Sequence, residues 1–219
     1  MQRRVFMKLR RLAALTGALA LLGFSGCIPD FMMPKGEKPV LYLYPPEETT
    51  VTVSLSLSLD GELTCAYPAM EEGGWTVTAR PDGALVDEAG REYPYLFWEG
   101  TLAAEWDFSS GFVVEGSRTA DFLEEKLALL GLTDREAADF ITYWLPRMEG
   151  NAYNLIAFQQ DTYTQAAALS ISPAPDTLLR VFMAYRPLTK AVRVPEQLLE
   201  AAPPREGFTA VEWGGCVCE

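Results

Sequence analysis

No histidine occurs among the 219 residues. That excludes His–Ser and His–Cys nucleophilic pairs and every His-ligated zinc site. Lysine is scarce beyond residue 26, where only Lys35, Lys38, Lys126 and Lys190 occur. None of them stands in the S-x-x-K spacing by which a lysine would serve a serine nucleophile. Glycine pairs are present at Gly73-Gly74 and Gly214-Gly215. Neither fits the G-x-x-x-x-G-K-[ST] or G-x-G-x-x-G loops that cradle phosphates. Positive charge is also short: 18 Lys and Arg face 30 Asp and Glu, for a net charge of −12. Five of those cations (Arg3, Arg4, Lys8, Arg10, Arg11) fall in the first 26 residues, which hold no acid, so the remainder of the chain carries −17. Such a surface repels phosphate backbones, and nucleic acid is not an expected partner. With 49% hydrophobic and 22% charged residues the chain is not a disordered one.

Long apolar runs are missing as well. Leu12 to Phe24 is uncharged and largely apolar but spans only 13 residues, against the ~20 that a membrane-crossing helix needs. A basic start, a short apolar centre and small residues after it make a secretory signal over residues 1–26. The run ends in Phe24-Ser25-Gly26-Cys27, which resembles the lipobox of bacterial lipoproteins. That resemblance implies a diacylglyceryl group on the Cys27 sulfur and cleavage before it. The expected location is the bacterial cell membrane, lipid-anchored on its extracytoplasmic face. Residues 27–38 contain two prolines, a glycine and mixed charge, and read as a short tether. A single domain is expected over 39–215, followed by a flexible tail over 216–219.

Within the domain, Val51, Val53, Leu55, Leu57 and Leu59 alternate with Thr52, Ser54, Ser56 and Ser58, the pattern of a half-buried strand. Asp60-Gly61 predicts a hairpin turn into a strand over 62–67. Further strands are expected at 40–44, 75–79, 93–98, 101–107, 112–115, 153–158, 167–171, 178–185 and 208–213. Pro94 points to a bulge or an edge within the third of these, 93–98. The period then changes. Leu123, Leu127 and Leu130 form a helical stripe closed by Gly131. Thr133 to Glu136 has capping-box spacing ahead of a second stripe of Ala137, Phe140, Ile141, Trp144 and Leu145. The expected class is α+β, a mostly antiparallel β-sheet or sandwich with a helical hairpin (about 119–146) packed on it.

Four segments, Lys38-Pro-Val-Leu-Tyr-Leu-Tyr-Pro45, Arg91-Glu-Tyr-Pro-Tyr-Leu-Phe-Trp-Glu-Gly100, Tyr143-Trp-Leu-Pro146 and Val211-Glu-Trp-Gly-Gly215, resemble those of a family of bacterial secreted proteins and lipoproteins. The resemblance covers roughly residues 38–215. It implies a secreted domain and supplies no activity, substrate or catalytic residue.

Chemistry-bearing constellations are few. Trp98-Glu99-Gly100 and Glu212-Trp213-Gly214 each set an acid beside a tryptophan. Paired carboxylates can cleave glycosides when held at the right separation, and tryptophan faces are platforms for sugar rings. Trp98, Glu99, Glu212 and Trp213 are therefore the candidate ligand-binding residues, with core packing as the competing role for both tryptophans. No catalytic residue is assigned, no cofactor is expected, and the acidic pairs Glu71-Glu72 and Asp87-Glu88 fit no metal loop. With Cys27 lipidated, Cys65, Cys216 and Cys218 leave an odd count of thiols. A Cys65 link to one tail cysteine is permitted outside the cytoplasm; soft-metal binding or chain cross-linking by the C-x-C tail are the other options. Two functions compete: a non-enzymatic binding or structural module that meets an envelope glycan or a protein partner, and an envelope glycan hydrolase using paired carboxylates.

Overall fold

Period-two segments dominate the chain that the computed structural model describes, residues 35–219. The expected signal segment 1–26, Cys27 and residues 28–34 of the expected tether lie outside the described residues. With strands numbered along the chain, one sheet has the order β3 (Glu62–Tyr67), β7 (Leu96–Thr101), β1 (Lys35–Tyr44), β12 (Thr209–Val217), β11 (Thr177–Leu188), β9 (Tyr153–Phe158), β8 (Phe112–Glu115). A second has the order β10 (Ala167–Ser172), β2 (Thr49–Leu57), β4 (Trp75–Ala79), β5 (Leu85–Val86), β6 (Glu92–Tyr93). Neighbouring strands run antiparallel, except β11 and β12, which are parallel. Three short helices, α1 (Thr119–Leu129), α2 (Asp134–Met148) and α3 (Gln160–Ala166), complete a mostly β protein.

The seven-stranded sheet is buried on both faces. On β1, Leu41 and Leu43 join a core shared with Val51, Val53, Trp75 and Val77 of the second sheet. Val40 and Tyr42, pointing the other way, join a core with Leu123 and Leu127 of α1 and Phe140 and Trp144 of α2. The same alternation divides β11: Phe182 and Ala184 face the second sheet, while Leu179, Val181, Met183 and Tyr185 share the helical face, as their spacing predicts. Gly215 allows Trp144 to lie on β12, since a Cβ there would stand 2.7 Å from the indole.

The capping box forms as expected. The Glu136 amide donates to Thr133 Oγ1 at 3.4 Å, and the Thr133 amide donates to Glu136 Oε2 at 2.8 Å. On β2, Val51 and Val53 are buried and Leu55 and Leu57 pack partly buried. Leu59, placed by its alternation on the same face, lies beyond the strand and is fully exposed.

Several expectations are corrected. The turn at Asp60-Gly61 makes no hairpin: β2 already pairs with β10 and β4 on its two edges, so the chain crosses to the other sheet and β3 pairs with β7. The 101–107 strand stops at Thr101, because β7's partners end there and no strand accompanies residues 102–107. Pro94 falls between β6 and β7, where the chain changes sheets. The tether ends earlier than residue 38. Lys35 and Gly36 pair with Thr101 and Gly100, and a bulge containing Lys38 (φ 57°) carries β1 past Pro39. Residues 216–219 are no loose tail. Cys216 and Val217 finish β12, and the Cys218 amide donates to the Tyr185 carbonyl at 2.8 Å. The seven-residue α3 went unpredicted because its polar sequence offers only Tyr163 and the alanine beside β10 as buried positions.

Candidate functional site

The four sequence candidates do not share a cleft. Trp98 and Glu212 meet, but inside the core between the sheets: Trp98 Nε1 donates to Glu212 Oε1 at 3.1 Å, and both side chains are buried. Arg180 completes the cluster, its Nε donating to Glu212 Oε2 at 2.8 Å and its Nη2 lying 2.7 Å from the same oxygen. The guanidinium rests 4.5 Å from the centre of the Tyr163 ring, which stacks on Trp98. Burial, and after it the Glu212 charge, pushes the Tyr163 hydroxyl well above the ordinary phenol range. Glu99 and Trp213 point to the opposite face. Glu99 accepts the Lys38 amide at 3.3 Å, and Trp213 is fully buried against Phe140 at 5.2 Å between ring centres. One residue of offset on each strand separates the acids from their tryptophans, and the backbone of a sheet separates Glu99 from Glu212. They cannot flank one glycosidic bond, and the competing role of the tryptophans, core packing, is the one they fill.

A concave site lies elsewhere, at the end of β1. Tyr42 and Tyr44 leave the strand two residues apart, toward α2. Tyr42 Oη donates to Asp139 at 2.9 Å, and the two rings stack at 6.2 Å with planes 3° apart. The turn at Asp82-Gly83-Ala84 and the segment Glu92-Tyr93-Pro94 form the other wall, and Arg135 at the start of α2 forms the rim of a pocket of about 300 Å³. Gly83 (φ 88°) shapes it, because a Cβ there would stand 2.5 Å from the Tyr44 ring. Tyr93 is held by its hydroxyl, which donates to Asp87 at 2.8 Å. Glu92 is engaged by Arg80. Arg135 is exposed and makes no ion pair among the described residues. The pocket thus offers the half-buried Tyr44 ring beside the buried Tyr42 and Tyr93, an arginine without an ion pair among the described residues, and carboxylates, which suits a small polar ligand with an apolar ring face. A wider groove of about 560 Å³ beside Phe112, Phe122 and Val192 has both rings covered by Lys126, at 5.1 and 5.8 Å. Sequence reading missed Tyr44 and Arg135. The signal available was the Tyr-x-Tyr spacing ahead of Pro45, which sets both rings on one face of a strand that ends there.

Behind the pocket, Glu136 is buried and accepts from Arg205 through both oxygens. Burial opposes ionisation, but Arg205 and the Thr133 amide outweigh it and hold the carboxyl below its usual range. A depressed carboxyl contributes stability above its unfolded value, near 4.3, and loses it as pH falls through the folded one. Glu136→Gln should therefore be less stable than the unmodified chain at neutral pH, with the gap narrowing by about pH 3. Urea midpoints at the two pH values measure this; an unchanged gap would remove the ion pair as its source.

Among the described residues no three acidic or cysteine side chains gather as a metal site requires. None of their helices is long and apolar enough to cross a membrane. The fold and pocket therefore define, among the described residues, a mostly β, two-sheet protein with three short α-helices and a tyrosine-lined pocket at a strand end. No protein-family model and no solved structure matches the chain. It is 40% identical over 86 residues to the "Uncharacterized protein in bglA 3'region" of Butyrivibrio fibrisolvens, over 38% of this chain and 88% of that protein. The chain belongs to the family of that protein.

Proposed function

We propose that this chain is a lipid-anchored extracytoplasmic module that binds a cell-envelope glycan through the pocket at Tyr44, Tyr93, Arg135 and Asp82, without cleaving it. The observation that carries this reading is the pocket itself, where aromatic walls and an arginine with no ion pair among the described residues converge on one opening. Sugar rings stack their apolar faces on such walls and hydrogen-bond their hydroxyls to charged side chains at the rim. Two of the segments that resemble bacterial secreted proteins supply the walls: Tyr42 and Tyr44 come from one, and Glu92, Tyr93 and Pro94 from the other. The helical hairpin of α1 and α2 braces the site by packing on the sheet and presenting Arg135. Against hydrolysis stands the separation of Glu99 from Glu212 by the sheet. The anchor rests on the Phe24–Cys27 segment and the basic, apolar run before it.

The test uses detergent-extracted full-length protein and isolated cell-wall sacculi in a sedimentation assay. Replacing Arg135, an exposed position, with alanine should weaken binding roughly tenfold or more, the effect of losing ~1.4 kcal/mol of polar contact, with Tm unchanged. No binding by the unmodified chain, or equal binding by the variant, overturns the glycan reading. Release of product from the sacculi would restore the hydrolase. Intact mass of the same extract should show an acylated Cys27 at the N-terminus; an unmodified thiol there overturns the anchor.

A further inference from the structure

We propose that Cys216 and Cys218 form a reversible dithiol–disulfide pair that exchanges with a reactive disulfide. Residues 209–217 alternate along β12, so Cys216 and Cys218 face the same way, toward the core between the sheets, with Val217 opposite. Their sulfurs lie 3.6 Å apart. Two residues of extended chain set the Cα atoms roughly 6.6–6.8 Å apart, at the upper end of the ~4.4–6.8 Å that a disulfide spans. Strand pairing ends at Val217, and Cys218 is held beyond it by its amide on the Tyr185 carbonyl. Closure therefore needs movement only at a strand end.

The two thiols are not equivalent. Cys216 is wholly buried, whereas Cys218 sits at the rim with 8% of its surface exposed. The Cys216 thiol hydrogen-bonds Cys218, and the Arg186 guanidinium lies near it. Together these outweigh the cost of burial and lower the Cys218 pKa, the hydrogen bond being the larger influence. Burial raises that of Cys216. Cys218 is thus the attacking sulfur and Cys216 the resolving one. The Cys218 thiolate attacks one sulfur of the incoming disulfide, forming a mixed disulfide and expelling the first thiolate. The Cys216 sulfur, losing its proton to that leaving thiolate or to water, then attacks Cys218 Sγ and expels the second. The dithiol loses two electrons and two protons, and the incoming disulfide gains them as two thiols. Cys65 cannot take part. It is exposed on β3, three strands from β12, or roughly 14 Å at ~4.8 Å per strand. This also removes the Cys65 link to a tail cysteine, one of the options that the cysteine count left open.

The test exposes the full-length protein to oxidised glutathione, blocks remaining thiols with iodoacetamide, and maps the peptides by mass spectrometry. The peptide holding Cys216 and Cys218 should lose about 2 Da, the two hydrogens, and escape alkylation, and dithiothreitol should reverse this. Cys65, which is exposed, should appear at least partly glutathionylated, which reports that the oxidant was active. Cys216→Ser should trap a stable glutathione adduct on Cys218. Cys218→Ser should leave Cys216 reacting at least about tenfold more slowly than Cys218 does in the first variant. The proposal is overturned if both tail cysteines stay alkylatable while Cys65 reacts, if either pairs with Cys65, or if the two single variants form adducts at equal rates.

Discussion

Glu212→Gln and Arg180→Met, made singly, should each lower the unfolding free energy by about 3–5 kcal/mol, because each leaves the other partner buried without its counter-charge. Arg180 and Glu212 have 6% and 0% of their side-chain surface exposed, so water offers no substitute. Glu212→Gln also weakens the acceptor for Trp98 Nε1, held at 3.1 Å. The double replacement, Arg180→Met with Glu212→Gln, removes both charges together, keeps an acceptor for Trp98 Nε1, and should recover most of the loss. Guanidinium melts of the four proteins measure this. If the double variant is as unstable as the sum of the singles, the pair is not a coupled buried ion pair. The result bears on function too. Loss of any property in Glu212→Gln would follow from unfolding and would be no evidence for a catalytic carboxylate, whereas Glu99, half-buried on the opposite face, can be replaced without that confusion.

Trp144→Ala should cost a comparable ~3–5 kcal/mol, a fall in Tm of roughly 6–20 °C for a chain of this size. The indole is fully buried, lies over Gly215, and has Phe140, Tyr143 and Tyr185 around it at 6.2, 5.0 and 6.0 Å between ring centres. Gly215, which lies against the indole, has no side chain to move into the gap. Trp144→Phe should cost far less. It keeps an aromatic ring in place, and the Trp144 Nε1 has no hydrogen-bond partner to lose. Equal losses for the two variants would mean that volume at this position does not hold α2 to the sheet.

The local signals in the chain were strong wherever one residue's neighbours along the chain set its structure. The capping box at Thr133 and Glu136, the stripe through Phe140 and Trp144, and the alternation of β11 were all readable, because each rests on spacing within a single element. Reading failed at Asp60-Gly61, where the turn type was sound but the partner strand was not. Whether β3 joins β2 or β7 depends on which edges β10 and β4 already occupy, and β10 arrives more than a hundred residues later. The same limit governed the candidate site. Trp98-Glu99 and Glu212-Trp213 look alike as sequence, yet strand pairing turns Trp98 and Glu212 into one core and Glu99 and Trp213 toward the other face.

The missing histidines, the few lysines and the anionic balance are properties of composition, and no folding supplies the His-based chemistry that they lack. Strand and helix periods are likewise local. Which acid is buried beside an arginine, which tyrosines open on a pocket, and that two cysteines close to the chain's last residue lie 3.6 Å apart were decided by tertiary structure. Each depends on contacts between segments distant in sequence, where face and register, set by the whole sheet, decide what a side chain meets.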